Sequence, residues 1–97
     1  MKDFHSKVHG WANDRGILKN SNSRNQFLKL MEEMGELAES INKNKSPIDD
    51  IGDCMVVLSI IASMEGLTLE ECAEHAWNEI KDRTGYLTES GIFIKDR

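Results

Sequence analysis

The stretch from Pro47 to Met64, PIDDIGDCMVVLSIIASM, constrains the fold more than any other part of the chain. Ser46 followed by Pro47 marks a helix start, an N-cap with proline at the first helical position, and Gly66 marks its stop. Apolar residues nearly encircle this helix; after the first turn its only polar strip is Gly52, Ser59 and Ser63. Such a helix is expected to be mostly buried. The run CMVVLSIIASM is about half of what a membrane span needs, so other helices must cover it and no membrane partner is expected.

Three further segments supply cover. Phe4, Val8 and Trp11 recur at i, i+4, i+7, giving a first short amphipathic helix that ends before Gly16, followed by LKNSNSRN as a polar connector. Ser23 and Gln26 have capping-box spacing and open a second helix to about Asn42, with Phe27, Leu30, Met31, Met34, Leu37, Ala38 and Ile41 in one stripe. The break NKNKSP precedes the central helix, which is the third. Thr68 and Glu71 form another capping box for a fourth, running to about Arg83 through Leu69, Cys72, Ala73, Ala76, Trp77 and Ile80. The tail GYLTESGIFIKDR contains a glycine-bearing turn and predicts a small hairpin or an extended arm. The expected fold is an all-α four-helix bundle, one domain over residues 1–97.

A domain of this length buries only about 60–65% of its unfolded surface, so self-association is expected. With 12 Lys and Arg against 17 Asp and Glu, the net charge is -5, which argues against a nucleic-acid partner. Cys54 and Cys72 sit in apolar helical patterns without metal-ligand spacing and are expected to be buried free thiols in a reducing compartment. Charged and histidine positions interrupt MKDFHSKVHGW, so it does not resemble a signal peptide, and a cytoplasmic location is the expectation.

The acids are where the pattern departs from ordinary packing. EEMGE at 32–36 and DDIGD at 49–53 repeat a three-residue acidic spacing on successive helices. Glu33 lies roughly 40° beyond Leu37 on the wheel and Glu36 roughly 60° further round, so one flank of the second helix's stripe is acidic. Gly35 lies on the other flank, a position for close approach of a second helix. Asp50 and Asp53 continue the line of Val57, Ile60, Ile61 and Met64, a face that is otherwise core. Carboxylates in such a place repel one another and require positive compensation. Arginines are too few, so oxygen ligands on two facing helices point to a divalent cation, Mg²⁺ with Mn²⁺ as the alternative.

Together these residues resemble the MazG-like all-α nucleoside triphosphate pyrophosphohydrolases. That family's E-E-x-x-E is matched by Glu32, Glu33 and Glu36, and its E-x-x-D by Asp50 and Asp53, with Asp50 in place of the usual Glu. The segments QFLKLMEEMGELAESI, IDDIGDCMVVLSIIA, AWNEIKDRTG and GIFIK extend the resemblance over most of the chain. It implies a MazG-type bundle that hydrolyses a nucleoside triphosphate between its α and β phosphates, giving monophosphate and pyrophosphate, as a homodimer or homotetramer. Metal ligands are then expected at Glu33, Glu36, Asp50 and Asp53, and Glu32 contacts another metal, acts as general base, or is a solvated surface acid. By the same resemblance, N-x-x-K-x-R at Asn78, Lys81 and Arg83 contacts substrate phosphate and sugar.

Other residues have two readings each. Lys29 reaches phosphate or forms an intrahelical ion pair. Trp11 stacks a base or belongs to the core, whereas Trp77 is expected in the core. His5 and His9 share a helix side at i, i+4 but lack a third ligand for zinc. The competing function is a non-catalytic metal-binding helical module for oligomerisation or interaction.

Overall fold

A computed structural model describes residues 2–96, leaving Met1 and Arg97 outside the description. Its elements are α1 (Lys2–Asp14), α2 (Ile17–Asn20), α3 (Ser23–Asn42), α4 (Ile48–Met64), α5 (Leu69–Ile80), β1 (Gly85–Leu87) and β2 (Phe93–Lys95). The helical bundle is as expected, with five helices in place of four. The additional one is a single turn within the connector, where Ile17 and Leu18 pack onto the cluster of Val8, Ala12 and Ile60.

Local chemistry explains the boundaries and corrects several of them. Asn22, not Ser23, caps α3: its side chain accepts the Asn25 N–H at 2.8 Å, and the Ser23 hydroxyl is diverted to Glu65. α4 starts at Ile48, one residue later than expected, with Pro47 in the cap position. α3 and α4 end in the same way. Lys45 N–H reaches back to Ser40 C=O and Leu67 N–H to Ala62 C=O, with Asn44 and Gly66 in the left-handed conformation between helix and exit. Thr68 caps α5 as expected, accepting the Glu71 N–H at 3.1 Å. α5 stops at Ile80 rather than Arg83, because the Arg83 N–H bonds to Ile80 C=O and tightens the chain into a turn.

α4 is the centre: α1, α2, α3 and α5 all contact it, and α3 is its principal partner. Val57, Ser59, Ile60 and Ala62 are its buried positions. The expectation of a mostly buried α4 fails on its other side, where Ile48, Ile51 and Leu58 are exposed. Most of the α3 stripe is also uncovered, with Leu30 buried but Phe27, Met31, Met34 and Ile41 at 52–57% exposure. Trp77, expected in the core, is 56% exposed, and α5 has no buried residue. Cys54 is half-buried and Cys72 exposed, so both are free thiols as expected but neither is fully buried. At Gly35, nothing of the chain approaches within 4 Å of where a Cβ would stand. The four helices that contact α4 do not surround it.

The tail forms the hairpin. β1 and β2 are antiparallel, pairing Gly85 with Lys95, Tyr86 with Ile94 and Leu87 with Phe93. A Cβ at Gly85 would stand 2.2 Å from Ile94 C=O, so only glycine admits this register. Neither strand contacts a helix.

Replacing Gly66 by alanine should lower the denaturant midpoint with an unchanged slope, at a cost of about 1–2 kcal/mol, because a side chain is then held at φ 74°. An unchanged midpoint would show that the α4 stop is not held by that conformation.

Candidate active site

The seam between α3 and α4 gathers three of the expected ligands. Glu33, Glu36 and Asp53 each offer a carboxylate oxygen, and these oxygens all lie within 4.8 Å of one another. The i, i+3 spacing puts Glu33 and Glu36 on one side of α3, and Asp53 faces them one turn into α4. Their burial is graded: Glu33 is buried, Asp53 half-buried and Glu36 exposed. Asp50 is half-buried one turn earlier on α4 and does not join this tight group. Glu32 lies outside it as well, with its side chain 62% exposed.

Lys29 is the neighbouring cation, with Nζ 3.5 Å from Glu32 and 3.3 Å from Glu33. Lys29 makes the ion pairs expected of one of its two readings, and its pKa is raised, first by hydrogen bonding to Glu33. This pair engages Glu33 Oε1 only. Glu33 Oε2 is buried with no hydrogen-bond donor among the described residues. A buried carboxylate oxygen without a donor is costly. Three crowded carboxylates and one orphaned oxygen form a donor set of the hard oxygen type that Mg²⁺ and Mn²⁺ favour.

Titration carries the same strain. Glu36 is shifted above the ordinary carboxylate range, first by the adjoining Glu33 carboxyl, through polar contact and charge, and then by burial. Asp53 is shifted up by burial first and then by Asp49, Glu33 and Asp50. Burial also pushes the Cys54 thiol up, with Glu33 and Asp50 adding to it, so a thiolate beside these acids is disfavoured.

Asn78, Lys81 and Arg83 lie elsewhere. α5 does not contact α3, and Asn78 lines a surface cleft with Glu70, Glu71, Glu74 and His75. Lys81 and Arg83 follow the end of α5, both exposed. Trp11, by contrast, shares a groove with one of the clustered acids: with Phe4, Lys7, Val8, Val56 and Asp53 it lines a cavity of about 490 Å³. The Arg15 guanidinium stacks 4.4 Å from the centre of its ring. The spacing of Phe4, Val8 and Trp11 announced an apolar face; that the face stays half open, with Lys7 on its rim, was not legible. A second feature also escaped the sequence. Ser59 is fully buried and bonds to buried His5, so the polar strip of α4 faces α1.

A family model described as the MazG nucleotide pyrophosphohydrolase domain matches residues 22–87. An uncharacterised 18.2 kDa protein from the rep-hol intergenic region of Haemophilus phage HP1 is 47% identical over 64 residues, a match that covers 64% of this chain. The match covers 39% of that relative's length. Among solved structures, a MazG-like pyrophosphohydrolase of cyanophage S-2L, bound to dGDP and three catalytic Mn²⁺ ions per active site, superposes with a TM-score of 0.75 at 17% identity. The superposition spans 99% of this chain and 92% of the cyanophage chain.

The raised pKa values have a definite sign. Groups that bind protons more tightly folded than unfolded make metal-free stability fall as pH rises through their titration, and recover as pH is lowered toward it. Asp53→Asn should raise the metal-free melting temperature, weaken this pH dependence and reduce the gain on adding Mg²⁺ or Mn²⁺. Melting curves with and without the ion check this; an unchanged metal response removes Asp53 from the ligand set.

Proposed function

Since the chain belongs to the MazG nucleotide pyrophosphohydrolase family, we propose that it hydrolyses a nucleoside triphosphate between the α and β phosphates, using Mg²⁺ or Mn²⁺. The observation that carries this reading is the convergence of Glu33, Glu36 and Asp53, with one Glu33 oxygen buried and lacking a donor among the described residues. An acidic surface repels a triphosphate, so these residues are suited to it only with divalent ions between them. When bound, such ions supply the positive charge that holds the phosphates and offsets charge in the transition state. The ions carried by the cyanophage enzyme support the same assignment.

The remaining roles follow from position. Glu33, Glu36 and Asp53 are the ligands, with Asp50 one turn away for a further ion or through water. Glu32, solvated at the edge of the seam, takes the proton of the attacking water, and Lys29 holds it and Glu33 in place. The Trp11 groove takes the base, its volume lying within the usual range for a small-molecule pocket and Asp53 being among its lining residues. Both free thiols suit a reducing, cytoplasmic setting.

The active form is a homodimer or homotetramer. The chain's accessible surface is 7434 Å², against about 5,600 Å² for a compact monomer of this mass. Its radius of gyration is 15.8 Å, where about 12.5 Å is usual. The excess is apolar: the α3 stripe, Ile51 and Leu58 of α4, Trp77 and the hairpin. A second copy on these faces completes the core, and it brings Asn78, Lys81 and Arg83 to a site their own chain keeps them from.

Products from a panel of nucleotides with Mg²⁺ should be monophosphate and pyrophosphate; release of orthophosphate refutes the reaction. Glu36→Ala and Asp53→Ala should each lower kcat/KM by at least about a hundredfold with helicity and assembly intact. Loss of metal-dependent assembly with no turnover in the unmutated chain would favour the structural module instead. Light scattering should give a dimer or tetramer at micromolar concentration, and mixing Arg83→Ala with Asp53→Asn subunits should recover activity if the site is shared. A fully active monomer would refute the assembly.

A further inference from the structure

His5 sits on α1 with 5% exposure and bonds to two other helices, α4 and α5. Its Nδ1 accepts the backbone N–H of Leu69, the first residue of α5, at 3.1 Å, and the Ser59 hydroxyl lies 2.7 Å from the same nitrogen. Backbone N–H groups only donate, so Nδ1 carries no proton and the ring is the Nε2–H tautomer. Nε2–H then donates to Ser63 Oγ at 3.3 Å, and Ser63 donates to His9 Nδ1 at 2.9 Å. The Ser59 hydroxyl and the Leu69 N–H thus share the one lone pair of Nδ1.

We propose that His5 is a positioning residue: by capping α5 from α1, it fixes the direction in which α5 leaves α4 and hence the placement of Asn78, Lys81 and Arg83. The other contacts of α5 are with α4 and α1. α5 has no buried side chain, does not contact α3, and meets α4 at 100° across the short link Glu65–Thr68. Thr68 serves the Glu71 N–H, while the Leu69 N–H, which no residue of α5 can accept, goes to His5. α5 is about 18 Å long, so a pivot of about 10° at Leu69 moves its far end by about 3 Å. Displacements well below that disrupt substrate alignment.

The consequence for catalysis rests on the substrate role proposed for the end of α5, so the test has one arm that needs no substrate. Residue-resolved amide hydrogen exchange on the full chain should show Leu69 and the α5 amides exchanging at least about tenfold faster in His5→Phe, with Val57 and Ile60 of α4 unchanged. His5→Asn, whose side-chain oxygen can replace Nδ1 as acceptor, should restore most of the protection. In kinetics, His5→Phe should raise KM severalfold more than it lowers kcat and leave Mn²⁺ affinity unaltered, with His5→Asn recovering KM. Unchanged α5 protection in His5→Phe, or protection lost evenly from α1, α3 and α4, would overturn the proposal. If His5→Phe does not fold, Ser59→Ala and Ser63→Ala, which leave the ring but release its orientation, must loosen α5 selectively or the proposal fails. Selective loosening of α5 with unchanged KM would leave His5 as the α5 cap and refute the substrate role of α5.

Discussion

α4 is the one helix in contact with all four others, and the structure depends on how its short circumference is shared among them. One face goes to α3, and the first turns of that contact hold carboxylates where hydrophobes would pack. Another face goes to α1 and is polar, closed by the Ser59 hydroxyl on His5. A further face is left apolar and open. Each of the protein's functional features lies along one of these divisions.

The acidic face trades stability for a binding site. An apolar pair at Glu33 and Asp53 would extend the core without repulsion; instead Glu36 and Asp53 hold raised pKa values, and Glu33 keeps an oxygen with no donor among the described residues. The chain offers Lys29 as partial compensation, but a single ammonium reaches only one oxygen of Glu33. Strain at a site that a ligand relieves is a general arrangement for binding residues, since the same charges that destabilise the free form favour the bound one.

The polar face links distance to position. α1, α4 and α5 meet at His5, so the orientation of a helix that leads toward Arg83 is set some four turns away by a nitrogen on the first helix. The open face has the opposite character: α3, α5 and the hairpin present side chains suited to a core that stay about half exposed. A two-stranded hairpin that touches no helix is marginal in isolation, and it gains a defined place only against another surface.

How much of this was legible follows from the range of each interaction. Helix positions depend on contacts three or four residues apart, so Thr68, Gly66 and the apolar spacing announced α3, α4 and α5 to within a few residues, and the acidic repeats announced Glu33, Glu36 and Asp53. Corrections came where two local solutions competed, as when Asn22 took the cap and freed Ser23 for Glu65. Burial was a different matter. Periodicity shows that Trp77, Met31 and Ile51 share apolar faces, but it does not say whether their own chain has enough neighbours to cover those faces. Likewise His5 and Ser59 lie 54 residues apart, and no local spacing relates them. The sequence by itself determined the helices and the acids they carry, because those are settled within a turn. Only the tertiary structure decided which acids converge, which tryptophan stands beside them and which histidine holds α5, because these depend on the angles at which helices cross.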